Sequence, residues 1–192
     1  NGTLFLWDTC GLTEKWGYRP SNSYQNKIQY YLNKQKRVDL ITNAIEPAVN
    51  FYITPNVFAQ LNPGPGFNFK KSSKRIPNSV RKKGVLELMR CIRESKKSIG
   101  KLKQKFEFDG RVLQLTPEEI NRYNEIVEVF ECLKKRDRLE DADWDLLMSG
   151  AVISETRGPC YLISNDYHIG SSWKDFVNLT NIKKNQYGCL VR

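Results

Sequence analysis

Two stretches decide the fold: Leu4-Phe5-Leu6-Trp7-Asp8 and, far downstream, Tyr161-Leu162-Ile163-Ser164-Asn165-Asp166. Each is a compact apolar run that ends on an aspartate. Strands covered on both faces show continuous hydrophobic runs rather than an alternation, and such strands belong to parallel sheets. Both runs therefore read as buried strands whose carboxyl ends deliver an acid. Ligands of open parallel sheets sit outside those carboxyl ends, so Asp8 and Asp166 are expected at one rim.

Working outward, residues 23–37 are expected to form a helix with Tyr24, Ile28, Tyr31 and Leu32 on one face. A second short helix is expected from Val38 to Val49, interrupted at Pro47. Phe51-Tyr52-Ile53-Thr54 is a strand candidate, and Thr54-Pro55 sets a capping residue before a proline at the first helical position. Leu61 to Gly66 ends that helix and opens a loop that turns basic at Lys70. Val80 to Lys105 is again helical, with Val85, Leu88, Met89 and Ile92 as its apolar stripe. Phe106 to Leu115 suggests a hairpin around Asp109-Gly110. Thr116-Pro117-Glu118-Glu119 is a capping-box helix start, followed by apolar Ile120, Tyr123, Ile126, Val127 and Phe130. Another helix is expected over Asp141–Ile153, closed near Gly158-Pro159, and a last strand over Tyr187–Val191. Short strands alternating with long helices predict an α/β chain, a three-layer sandwich around a mainly parallel central sheet. We expect a single domain over residues 1–192, with a basic insertion or helical segment at about 63–110.

Composition narrows the function classes. A hydrophobic share of 40% in 192 residues suffices for a core. No apolar run approaches the roughly 18 to 20 residues of a membrane span, and no secretory signal is expected from the opening residues. Five widely spaced cysteines without a CxxC pair argue against a zinc site or a disulfide scaffold. An intracellular setting, cytoplasmic or nuclear, is therefore expected. A single histidine, His168, leaves multi-histidine chemistry out. The net charge of +10 is concentrated, because residues 70–105 carry 14 Lys/Arg against 2 Asp/Glu. Such a segment is either a solvated helix face or a surface for polyanions, where counterion release supplies affinity.

Asp143 is the third acid. Placed in the first turn of the helix over 141–153, it projects toward the same rim while Leu146, Leu147 and Gly150 face the sheet. Taken alone, each aspartate is a loop, cap or helix-dipole residue; the joint pattern favours a pocket. Three converging carboxylates raise one another's pKa unless a cation neutralises them. Mg²⁺ or Mn²⁺ suits hard oxygen ligands and leaves room for a phosphate. Asp145 is expected to be exposed, and His168 to be a surface or substrate-contact residue. Trp7, Trp144 and Trp173 are assigned to core or rim packing; for Trp16 and Tyr18, with Arg19, in a loop near Asp8, stacking on bases is the lesser alternative.

In this order, four segments resemble the PIN-domain nucleases: Leu6-Trp7-Asp8-Thr9, Ile53 to Leu61, Asp143 to Ala151, and Leu162-Ile163-Ser164-Asn165-Asp166. The resemblance implies a PIN-like fold and a Mg²⁺- or Mn²⁺-dependent endoribonuclease or flap-like nuclease with Asp8, Asp143 and Asp166 as catalytic metal ligands. Thr9, Ser164 and Asn165, with the basic residues Lys70, Lys71, Lys74, Arg75, Arg81, Lys82 and Lys83, are then expected to contact substrate, RNA above all. The chain departs from the family twice. Gln60, a weak uncharged ligand, stands where a glutamate is usual, with Glu46 or Glu87 as substitutes from nearby. Cys10 replaces a supporting asparagine. These departures leave two further readings: a catalytically weak or inactive RNA-binding module, and the toxin of a toxin–antitoxin pair. A protein partner or homo-oligomer is compatible with either.

Overall fold

The computed structural model describes residues 2–13, 23–45, 50–61, 78–179 and 187–191, with side chains in the last two segments over 83–177 and 187–189. Four strands, β1 (Leu4–Trp7), β2 (Phe51–Tyr52), β3 (Cys160–Ser164) and β4 (Tyr187–Val191), form one sheet in the order β2-β1-β3-β4. All pairings are parallel, with Phe5 opposite Phe51, Leu6 opposite Leu162, and Cys160 opposite Tyr187. Parallel neighbours need long crossovers, and helices supply them among the described residues: α1 (Thr9–Thr13), α2 (Tyr24–Ala44), α3 (Pro55–Gln60), α4 (Asn78–Phe108), α5 (Pro117–Asp137), α6 (Asp141–Thr156) and α7 (Tyr167–Leu179). The chain is thus α/β around an all-parallel sheet, an arrangement compatible with a three-layer sandwich. From β1 the chain crosses to β2 on one side, then returns to β3 on the other. That reversal puts the switch point of the sheet between the carboxyl ends of β1 and β3.

α6 is the central helix, buried all round from Trp144 to Ser154 because its sequence is apolar or small on every face. Gly150 lets it approach the sheet: a Cβ there would stand 2.8 Å from both Leu162 Cδ2 and Tyr187 Cε2. The Tyr187 hydroxyl donates to the Leu147 carbonyl at 2.7 Å. α5 opens with the expected capping box, Glu119 N–H donating to Thr116 Oγ1 at 3.3 Å and Thr116 N–H to Glu119 Oε2 at 2.8 Å. Arg157 and Thr156 also bind Glu119, so the start of α5 is tied to the end of α6. The Arg157 guanidinium holds the Glu119 carboxyl at about 2.

Three local expectations are corrected. α2 runs unbroken through Val38 to Ala44, because Val38 and Ile41 continue its buried face. The predicted hairpin over 106–115 does not form. α4 extends to Phe108, and Gly110 (φ 63°) ends it, its N–H bonding Glu107 O while Arg111 N–H bonds Phe106 O. That pair of bonds is a Schellman termination, which needs a left-handed residue. Val112 then forms a parallel bridge with Ile53. On the predicted stripe of α4, Leu88 is buried but Met89 is 45% exposed. Pro47 lies outside the described residues.

α1 rests on the end of β3 because residue 11 has no side chain: a Cβ on Gly11 would stand 2.8 Å from the Ile163 carbonyl oxygen. Backbone cannot yield as a flexible side chain does. Gly11→Ala is therefore expected to destabilise the fold by ~1–3 kcal/mol, lowering the midpoint of thermal unfolding by about 3–9 °C. Differential scanning calorimetry checks this; an unchanged midpoint would show that α1 does not depend on the close approach.

Candidate active site

Asp8 follows β1 directly and is 2% exposed. Its N–H donates to Ile163 O at 3.0 Å, so the ladder between β1 and β3 continues to the acid itself. Its Oδ2 accepts the Ser164 hydroxyl at 2.8 Å, and the same Ser164 oxygen accepts the Asp166 N–H at 2.9 Å. One serine thus ties the first acid to the backbone that carries the third. Asp166 opens α7, its Oδ1 accepting the His168 N–H at 2.8 Å. Asn165 Nδ2 donates to Cys10 O at 3.3 Å and draws α1 toward the end of β3.

Asp143 enters from the first turn of α6, where its Oδ2 accepts the Glu140 N–H at 3.3 Å. Burial pushes its carboxyl up to about 7, and the charges of Asp8 and Asp166 add to the rise. Burial also raises Asp8; the Ser164 hydroxyl opposes this and Asp166 reinforces it. Cys189 on β4 is pushed up to about 12 by burial and by Asp8. The three aspartates predicted from the sequence therefore lie within electrostatic reach of one another. Among the described residues, no lysine or arginine pairs with any of them. Nor, among those residues, do three His, Cys, Asp or Glu side chains stand together at metal-ligand spacing.

Gln60 joins this rim. Its Oε1 accepts the Thr9 hydroxyl at 2.7 Å, and its Nε2 reaches Glu140 Oε2 at 3.5 Å. α1, α3 and α6 are linked through that one amide. A cavity of about 570 Å³ lies alongside, lined by Asn56, Gln60 and Glu140 among others. Glu140 is the residue that sequence reading missed: it stands one helical turn before Asp143 and adds negative charge beside it. Its signal was the acidic run Glu140-Asp141-Ala142-Asp143, which marks a helix start but does not say which acids turn inward.

Thr9, Gln60, Ser164 and Asn165 are thus brought to the three aspartates. Glu87 is not: it pairs with Arg90 at 2.7 Å on α4 and borders a groove with Tyr24. Lys83 is exposed on α4, Arg81 and Lys82 lie in its first turns, and Lys70, Lys71, Lys74, Arg75 and Glu46 fall outside the described residues, as do Trp16, Tyr18 and Arg19. Asp145, expected at the surface, is buried, because Tyr123 and Ser149 donate to its Oδ1 at 3.2 and 3.3 Å. The three assigned tryptophans pack as expected, Trp7 on Phe51 and Trp173 on Tyr187, with Trp144 in the core. His168 is exposed beside Tyr167.

A carboxyl whose folded pKa is raised favours folding below its unfolded pKa and loses that contribution as pH climbs through the folded value. Wild type should therefore lose stability between about pH 4 and 7 through Asp143. Asp143→Asn keeps an acceptor for Glu140 N–H and removes the charge. It is expected to exceed wild type at pH 8 by ~1–2 kcal/mol, after discounting for partial exposure, and to match it near pH 4. Urea titrations at both pH values, in chelator, measure the difference; equal curves at pH 8 would contradict the crowding of charge. No family model, no curated protein and no solved structure matches the chain, so the reading of the site rests on the residues just described.

Proposed function

We propose that this protein is a metal-dependent endoribonuclease of PIN-like architecture, hydrolysing RNA phosphodiesters at the crevice between β1 and β3. The observation that carries the proposal is the electrostatic convergence of Asp8, Asp143 and Asp166 at a topological switch point, with Asp143 raised to about 7. Proteins crowd carboxylates in this way at functional sites, where a cation or a proton must relieve the repulsion.

The donor set fits Mg²⁺ or Mn²⁺ in kind. Its oxygens are hard, its charge is uncompensated among the described residues, and Mg²⁺ commonly takes one or two carboxylates while keeping several waters. The absence of a trio at ligand spacing is therefore compatible with such an ion. Asp8, Asp143 and Asp166 would hold it, with Gln60 as an uncharged donor. A bound divalent ion would supply an activated water and offset charge on the phosphodiester. The chain's own groups do the positioning. Ser164 fixes the Asp8 carboxylate and the start of α7 together, and Thr9 and Gln60 hold α1 against α3. α7 begins at the rim, and its first turn is already capped by Asp166, whose Oδ1 accepts the His168 N–H.

A second reading, an RNA-binding module without turnover, is favoured by Gln60, which is occupied by Thr9 and Glu140 and brings no charge. Cleavage of end-labelled single-stranded RNA separates the two. With Mn²⁺, wild type is expected to cut, and Asp8→Asn and Asp166→Asn to be slowed at least about 100-fold, since metal stabilisation is worth several kcal/mol and each 1.36 kcal/mol is a decade. Equal cleavage by all three proteins would remove the assignment. Binding without cleavage under any divalent ion would establish the second reading.

A further inference from the structure

α4 spends one face on the fold and leaves the opposite one to solvent. Leu88, Cys91, Ser95, Ser98, Leu102 and Phe106 are buried on the inner side. At helical spacing on the outer side come Lys83, Arg90, Arg93, Lys97 and Lys101, all exposed, with Glu87 and Glu94 interleaved beside Arg90, so the ridge carries five cations against two acids. Successive members lie one or two turns apart, so the ridge from residue 83 to 101 is about 27 Å long. Among the described residues, Lys83, Arg93, Lys97 and Lys101 form no ion pair, and Arg90 alone is shared with Glu87. The same stripe ends at Phe108, an aromatic ring left 93% exposed. Folding alone does not account for that ring, because the chain terminates α4 through Phe106 and Gly110 instead.

A row of cations flanked by a bare aromatic matches what a single-stranded polynucleotide needs. The cations follow the phosphates and the ring offers a face on which a base stacks. Exposed large apolar side chains on α4 are Leu86 and Met89 near one end and Phe108 at the other, too scattered to form a continuous apolar face for a bilayer. α4 also reaches the site-bearing helix: the Lys103 ammonium stands 4.4 Å from the Phe58 ring centroid of α3, two residues before Gln60.

From this we infer that the outer ridge of α4, Lys83, Arg90, Arg93, Lys97 and Lys101 with Phe108, is the binding surface for single-stranded RNA. The choice of RNA rests on the nuclease reading; the ridge itself rests on charge and exposure. It assigns affinity to residues apart from the acidic rim and, Lys83 excepted, to a part of the basic segment C-terminal to the positions the sequence singled out.

The full-length protein tests it through affinity and salt dependence. Fluorescein-labelled oligouridylate is titrated in chelator at 50 to 300 mM salt, against wild type, Arg93→Gln/Lys97→Gln/Lys101→Gln, and Phe108→Ala. These exposed substitutions leave the inner face intact, which circular dichroism verifies. Each phosphate contact contributes about 0.7 to the slope of log affinity against log salt for a single strand. The triple variant is thus expected to lose about 2 in slope and to bind at least about 10-fold more weakly at 100 mM salt. Phe108→Ala should weaken binding about 5-fold or more with the slope unchanged, since stacking is uncharged. An unchanged slope in the triple variant overturns the inference, as does loss of binding to phosphatidylserine vesicles in place of loss of RNA binding. Cleavage with Mn²⁺, run in parallel, keeps the two readings apart. A wild type that never cleaves but binds through the ridge sinks only the nuclease reading, whereas ridge variants that bind normally while Asp8→Asn loses cleavage sink only the ridge.

Discussion

Parallel pairing of β1 with β3 is the constraint on which the site depends. Two strands running the same way must end on the same edge, so any residue placed just after each is delivered to one place. Here those residues are Asp8 and Asp166, and the pairing runs through Trp7 opposite Ile163 and on to the Asp8 N–H. An exposure of only 2% at Asp8 is tolerable because the Ser164 hydroxyl and the Thr9 and Cys10 backbone N–H groups donate to it. An ionised carboxylate stripped of water and left without donors would cost several kcal/mol. The serine is thus as much a condition of the fold as of the site.

Around that edge the described residues concentrate negative charge. Asp143 and Glu140 add to the two strand-end acids, and the described lysines and arginines find partners elsewhere or none. Arg157 and Arg122 are held by Glu119 and Glu155 at the opposite end of α6. The basic excess lies on α4, which packs chiefly on α2. Segregation of this kind weakens the isolated chain through self-repulsion, yet it produces fields of opposite sign over the two regions.

Much of this was legible in the sequence where a local pattern coincided with a tertiary demand. The two apolar runs ending in aspartate could be read as strands because burial on both faces leaves no polar alternation. Thr116 and Glu119 could be read as a helix start because the capping box is local. Phe106 to Leu115 misled for the same reason: Asp109-Gly110 suits a hairpin and a helix terminus equally. Only the fully buried Phe106 ring, stacked edge-on at 5.5 Å to Phe51, decides between them. Glu140 and Asp145 were illegible individually: exposed Glu140 is marked out by its reach to Gln60, and Asp145 is buried against Tyr123, both partners distant in sequence.

The carbonyl of Gly11 accepts two bonds from the Arg37 guanidinium of α2, at 3.1 and 2.5 Å. That contact is the path by which the α2–α4 pair grips α1, and through α1 the backbone beside Asp8. Anything that shifts α2 against the sheet must loosen a charge-assisted bond at the end of the helix that begins at Thr9. Were ligands to bind at both the rim and the helical arm, thermodynamic linkage would make any coupling carried by this contact reciprocal.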